Sequence, residues 1–580
     1  MTKNKNGSTK AKVSLKEKLS LFSRKKIFWV ILITLLTIPT FSSIIRAGFF
    51  PMQDDLQAFR IYEMNKCIQD FQIPCRWVPD AGYQYGYPQF NYYPPSVYYV
   101  GEALHLVGFQ YIDSVKILFA AGFVLSALAM FLLVSDLLGN LSGFVSALTY
   151  AYVPYKAVEV YVRGDMSELW SMVFYPLVFW AVYKIIKTSK WKYAALLGIS
   201  LALLLMTHLL MSMIFSLSAA VWTVYWLIKE KKFNIKEISR VAGGVILGFG
   251  FAAFYVLPVI FERQYAHTET LTEGYFGYQQ HFVNIFRLFF YTDWGYGSSG
   301  FPNEKLNLST GIVQWIFGAI TVGIAGFCVL LKKKKDNLYL VLILGILEIF
   351  TLFMIHVKSS FIWSAIPILS WLQFPWRFLT VSVFLLSVLA GFGIYLVPKF
   401  KIWVGILVIL AAFAINARYF VPKSWIDIND AEKFSGVSWQ KELTISIFDY
   451  LPIYAKLPPI APAPATPEVL KGTATFSNYT KGSDFQGGNI NTGANGALIR
   501  LPLFDFPGMI TKIDGRVVPH VNNNCVGEEF CLGLITFNVP AGEHKIEVKL
   551  TGTPIRRVGN YLSVISIATI AGILIFRKKK

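Results

Sequence analysis

Charged residues are scarce in this chain. Asp, Glu, Lys and Arg make up 15% of its 580 residues, against about 25% in a soluble domain. That shortage leaves too few polar side chains to cover a water-soluble globule of this size. With 54% hydrophobic residues, it also excludes a disordered chain. Cysteine is scarce too, five in all, which excludes a mini-protein built on disulfides. There is no P-loop, no GxGxxG following a strand, and no HExxH, CxxC or GxSxG. Sequence support for an ATPase, a dehydrogenase, a zinc protease or a serine hydrolase is therefore missing. No inverted repeat of broken helices marks a secondary transporter.

What the chain has is apolar length. Runs of about 20 residues, enough to cross a ~30 Å hydrocarbon core, predict twelve spans, near 27–45, 115–134, 141–160, 168–183, 193–207, 210–228, 241–260, 312–331, 338–356, 375–397, 402–417 and 560–576. The net charge of +20 would suit nucleic acid if spread over one face. Instead the Lys and Arg residues cluster between apolar runs, in the arm up to Lys26, at 184–192, 229–240, 332–335 and 399–401, and at 577–580. If the spans alternate, all of these clusters fall on one side. That is the positive-inside pattern of cytoplasmic loops, with both termini cytoplasmic and no nucleic-acid partner. The first run follows a basic arm, is interrupted by Pro39 and lacks a small-x-small cleavage site before Arg46, so it reads as an uncleaved signal-anchor.

The expected organisation is a basic arm at 1–26, a transmembrane domain over 27–417 with outer loops 46–113 and 261–311, an outer domain over 418–558, and a last anchor and basic tail at 559–580. The outer domain opens on LPPIAPAPATP, which favours extended backbone. Short runs such as GALIRLPLF and HKIEVKL follow, separated by Gly, Asn and Pro, and predict a small β-sandwich. Cys67 and Cys75 fall in the first outer loop and Cys525 and Cys531 in the last domain, so two local disulfides suit an oxidising face. Four free thiols are the alternative. Cys328 lies inside a span.

Candidate chemistry concentrates on the outer side. Asp54 and Asp55 follow the first span, with Arg60 and Glu63 within helical reach. Adjacent carboxylates can hold a cation or act as a base, and they equally suit the capped first turn of a helix. The segment CRWVPDAGYQYGYPQFNYYPPSVYY is dense in Tyr, Pro and Gly. Tyr85, Tyr87 and Tyr92 offer flat faces with polar edges that suit sugar rings, or an interfacial aromatic belt. In VEVYVRGDMSELW, Arg163 stands among Glu159, Asp165 and Glu168, a set able to grip a phosphate or to cap two helices as a salt-bridge network. Arg377, beside Trp376 in LQFPWRFL, can hold a lipid-linked phosphate or snorkel to headgroups. His208 interrupts an apolar stretch and joins the substrate-binding candidates, although a lone histidine is more often a hydrogen-bonded core residue. Glu348 lies inside a span with no visible partner, and intramembrane carboxylates are functional candidates by default.

Several of these stretches are distinctive together. PMQDD with FRIYE, IPCRWVPDAGYQYGYPQFNYYPPSVYY, YVRGDMSE, MTHLLM and LQFPWRFL resemble bacterial membrane proteins named for a "6-pyruvoyl-tetrahydropterin synthase-related" membrane domain. DYLP, FPGMITKIDGRVV and VPAGEHKIEVKL before the last span resemble the C-terminal domain of YfhO-type membrane proteins. Both groups look like members of the GT-C glycosyltransferase superfamily. The resemblance implies a polytopic enzyme with its site on the outer face, a sugar donor on polyprenyl phosphate, and an acidic base or metal ligand near the end of the first span, where Asp54 and Asp55 stand. It implies a cell-envelope glycopolymer or lipid as acceptor, and a separate cytoplasmic-face synthase and flippase to supply the donor in a bacterial cell membrane. A divalent cation is compatible with the carboxylates. The chain departs from the family at Pro507 to Met509, where the turn often reads PGW, and at Asp165, where a small residue is usual. A flippase of lipid-linked sugars and a non-catalytic envelope scaffold are the other readings.

Overall fold

The computed structural model describes residues 25–333 and 336–576. Most of the basic arm, Lys334, Lys335 and the tail from Arg577 lie outside the described residues. Eight helices among the described residues are long and apolar enough to cross a membrane: Tyr111–Leu138, Met166–Thr188, Leu209–Lys229, Ile312–Leu330, Leu338–Ile355, Pro375–Leu396, Lys401–Tyr419 and Pro554–Phe576. A ninth span forms if the pair Ile235–Phe251 and Ala253–Phe261, bent by 74°, is counted as one.

The expected count of twelve is not reached, for local reasons. The first apolar helix, Lys26–Thr37, gives way at Pro39 to short 3-10 turns. Trp191–Thr207 is an apolar helix of 17 residues that stops at His208, where the backbone is extended (φ −160°, ψ 100°). The stretch expected at 141–160 is a 12-residue helix, Asn140–Ala151, followed by a break. Pro154 forces the preceding Val153 into extended backbone (φ −80°, ψ 138°). A second short helix and a π-helical turn, Glu159–Arg163, then carry the chain to Gly164 in the left-handed region.

Among the described residues, basic residues of three clusters, Lys26, Lys184 with Lys187, and Lys229, lie at one end of the helical body. Asp136 pairs with Lys26 and with Lys184, Lys187 pairs with Glu230, and Lys229 bonds Asn337. At the other end of the helix Tyr111–Leu138, Lys116 donates to the carbonyls of Arg46 and Gly48 at 2.7 and 2.9 Å. Lys116 and Asp136 are twenty residues apart on one helix, a rise of roughly 30 Å, which is the thickness of a bilayer's hydrocarbon core.

The segment before the last span contains six strands: β1 (Glu468–Lys481), β2 (Phe485–Phe504), β3 (Met509–Ile513), β4 (Arg516–Val518), β5 (Leu534–Val539) and β6 (Gly542–Leu550). The expected sandwich is instead one antiparallel sheet, in the order β1-β2-β6-β3-β4 with β5 also on β2. The long β2 explains it. Residues 485–492 pair with β6 and residues 497–504 with β5, so β5 and β6 run end to end along the same strand. Gly496 sits at the junction with φ +68°, where a Cβ would press on the Val539 carbonyl. The buried face of this sheet does not close on itself. Ile499, Phe504, Phe506 and Phe537 share a core with Trp77, Tyr85 and Tyr92 of the first outer loop. Between sheet and membrane body lie the helices Asp430–Lys433, opened by a capping box of Asn429 and Glu432, and Gly436–Thr444. Four cysteines are joined as Cys67–Cys75 and Cys525–Cys531, with Cys328 free and buried.

Candidate functional site

The loop after the first helix is threaded under the YVRGD turn by backbone pairing. The Gln53 and Asp54 amides donate to the carbonyls of Val162 and Arg163 at 3.0 and 2.8 Å. The Gln57 side-chain amide donates to the Gly164 carbonyl at 2.8 Å. Asp54 is therefore delivered beside Arg163 by main-chain geometry. Its Oδ2 accepts from Arg60 at 2.8 Å, from Gln57 at 2.9 Å and from the Tyr93 hydroxyl at 3.5 Å. The Arg60 guanidinium lies 4.0 Å above the Tyr93 ring, and Tyr98 donates to Gln57 at 2.7 Å. Arg60 is buried, yet the Asp54 side chain keeps 31% of its exposure.

Asp55 faces the other way. It pairs with Lys433 at 3.0 Å, and Lys433 also holds Glu442 at 2.6 Å. Burial raises the Asp55 carboxyl above its usual range against the pull of Lys433, and burial pushes Glu442 up to about 7. The two neighbouring aspartates thus diverge, each onto its own cationic side chain. Asp449, from the DYLP stretch, lines a small pocket with Arg60, Tyr93, Gln89 and Glu442. Burial lifts its carboxyl to about 6.

A second cluster lies on the far side of the shared backbone. Arg163 bonds Glu159 and donates to Glu168 Oε2 and Asp165 Oδ2, both at 2.9 Å. Arg377 reaches the same Glu168 oxygen at 3.2 Å and approaches Asp165 at 3.9 Å. Tyr155 donates to Glu168 Oε1, and the Arg163 guanidinium covers the Trp376 ring at 4.6 Å. Asp165 caps the helix Met166–Thr188 by accepting the Glu168 amide at 2.9 Å. Burial alone would raise Asp165, but Arg163, His208 and Arg377 outweigh it and hold the carboxyl down at about 2. Ligand atoms of Asp165, Glu168 and His208 all lie within 4.8 Å of one another. The backbone pairing of Asp54 with Arg163 is what links the two clusters.

Asp54, Arg60, Arg163, Glu168, His208 and Arg377 are brought together. The tyrosines expected to stack on sugar are not open. Tyr85 lies against Phe504, and Tyr92 stacks on Tyr450 and meets Phe506 edge-on. The Tyr87 hydroxyl donates to the Ser446 and Ile447 carbonyls and accepts the Tyr450 amide. Their faces join the outer sheet to the first loop. Glu348 accepts at 2.6 Å from Ser382, five residues past Arg377. Gln57, Tyr93, Tyr155, Lys433 and Asp449 escaped the sequence reading. Tyr93 stood inside the aromatic segment already singled out, and Gln57 three residues past Asp54.

No family model and no curated protein matches this chain, so the family resemblances stand on the quoted residues alone. Among solved structures, the chain is similar to the mycobacterial arabinofuranosyltransferase AftD, at a TM-score of 0.45 and 13% identity over 69% of this chain and 27% of that one. It is similar also to an Archaeoglobus fulgidus oligosaccharyltransferase tethered to an acceptor peptide, at 0.40 and 13% over 68% of this chain and 54% of that one. The chain thus spans about a quarter and about half of the two lengths. Likenesses this loose carry neither an activity nor a site to it.

Proposed function

We propose that this chain is a GT-C-type glycosyltransferase. It moves a sugar from a polyprenyl-phosphate donor to a hydroxyl of a cell-envelope glycopolymer or lipid, on the outer face of a bacterial membrane. The observation that carries the reading is the delivery of a part-exposed carboxylate, Asp54, to the backbone of Arg163, at the end of the helical body away from the basic clusters. Support also comes from the residues shared with the GT-C-like families.

In the reaction, the acceptor oxygen forms a bond to the anomeric carbon while the bond from that carbon to the lipid phosphate breaks. Asp54 takes the proton of the acceptor hydroxyl, and the phosphate leaves with the electron pair. Arg60 and Gln57 fix the Asp54 carboxylate, so its basic oxygen needs no reorientation. Arg377 has one guanidinium nitrogen with only the long 3.9 Å approach to Asp165, and that nitrogen is the one free to meet charge growing on the phosphate. The same reading keeps both termini cytoplasmic and leaves donor synthesis and flipping to other proteins. The test is a donor-and-acceptor screen with purified full-length protein. Sugar transfer from a synthetic polyprenyl-phosphate donor is expected. Transfer from a soluble nucleotide-sugar with no polyprenyl donor accepted, or no transfer from any donor, would overturn it.

A further inference from the structure

We propose that Asp165, Glu168 and His208 hold one divalent cation, placed to bridge the donor's phosphate. Three elements bring the ligand atoms together: the cap and the first turn of the helix Met166–Thr188, and the extended break between Trp191–Thr207 and Leu209–Lys229. The second observation is His208 itself. It is 9% exposed, and its Nδ1 is buried with no hydrogen-bond partner. A buried ring nitrogen left unbonded beside two carboxylates is costly as mere structure, and neutral imidazole is a common metal ligand.

The carboxylates have room to coordinate. Glu168 Oε1 accepts only from Tyr155, and Asp165 Oδ1 only from the Glu168 amide. Each such oxygen keeps a second lone pair. Asp54 and Asp55 need no such ion, since Arg60 and Lys433 already pair with them. Mixed carboxylate and imidazole ligands suit manganese or zinc. The bridging role rests on the proposed transferase reading, whereas binding of the ion does not.

The experiment is titration of Mn²⁺ into chelator-stripped, detergent-purified full-length protein, read by the electron paramagnetic resonance of free Mn²⁺. One ion per chain is expected. His208→Gln and Glu168→Gln are expected to weaken it by at least about 10-fold, the loss that even a supporting residue of a metal site causes. Asp54→Asn is expected to leave the affinity unchanged. Because His208 Nδ1 bonds nothing, His208→Gln should melt at the parent temperature, so lost affinity cannot be read as lost fold. No uptake by the parent protein, or uptake indifferent to both substitutions, overturns the site. Uptake without sugar transfer from any donor supports the cation site and overturns the transferase reading. Transfer that persists in stripped protein with no uptake does the reverse.

Discussion

Asp54 and Asp55 are adjacent in sequence, but the same substitution should affect them differently. Asp→Asn keeps shape and removes charge. At Asp54 the lost charge is the one facing the open side of the site. If it is the general base, transfer falls by about 10²–10⁴-fold, equivalent to ~3–5 kcal/mol of barrier. The stability cost is smaller. Arg60 is buried and loses its ion pair, but Asp54 is 31% exposed and the amide oxygen can still accept from Arg60. That places the cost at roughly 1–2 kcal/mol, between an exposed and a buried pair. At Asp55 the outcome reverses. Lys433 keeps Glu442 at 2.6 Å, and Asp55 is one of the groups that push Glu442 up. Removing its charge relieves that repulsion, so Asp55→Asn should cost no more than about 1 kcal/mol and leave transfer near the parent rate. The assay pairs initial rates from a polyprenyl-phosphate sugar with thermal melting of the same preparations. Full transfer in Asp54→Asn, or a selective loss in Asp55→Asn at unchanged melting temperature, would refute the reasoning.

Other expectations follow from the same contacts. Glu442 and Asp449 are held above their usual range by burial, to about 7 and about 6. Their contribution is therefore complete below about pH 4 and lost as pH rises through 6–7; hydrogen exchange of residues 430–450 should speed between pH 5 and 8, and less so in Glu442→Gln. Glu262 is the buried partner of Arg556 at 2.8 Å, so Glu262→Gln should destabilise by about 3–5 kcal/mol, visible as a lower melting temperature; an unchanged melt would refute it. Gly164 has φ +70°, and an added Cβ would land on the Met52 side chain. Gly164→Ala should displace the loop that positions Asp54 and cut transfer more than it lowers melting temperature.

Much of the membrane body was readable because it depends on local quantities. Run length and basic clusters reveal where helices lie and which ends share a side. The interruption at Pro39 is legible in the sequence, whereas the break at Pro154 shows only in the fold. Pro154 splits the run at 141–160 by acting on Val153, and Pro39 shortens the first helix, although apolar content alone continues through both. At the candidate site, Asp54 with Arg60 is a six-residue relation that helical spacing suggests. Lys433 lies 378 residues from Asp55, and no local pattern announces their pairing. The aromatic segment was noticed for its composition and given the wrong neighbours. Tyr faces suit a sugar ring and a hydrophobic core equally well, and only the fold shows Tyr92 against Tyr450 and Phe506.

The core shared by Trp77, Tyr85 and Tyr92 with the outer sheet also sets an order of events during synthesis. These aromatic residues leave the ribosome about 400 residues before Phe504 and Phe537. At 5–20 residues per second they would wait roughly 20–80 s for their partners. Throughout that interval Phe59, Ile61 and Val78 of the same loop can join the helical body's core, but Trp77, Tyr85 and Tyr92 lack theirs. The sheet, in turn, cannot bury its inner face without a loop made long before it. The two ends of the gene therefore encode one cooperative folding unit. A truncated chain ending after residue 417 should expose Trp77 to solvent and to proteases, and the isolated segment 418–558 should be equally incomplete.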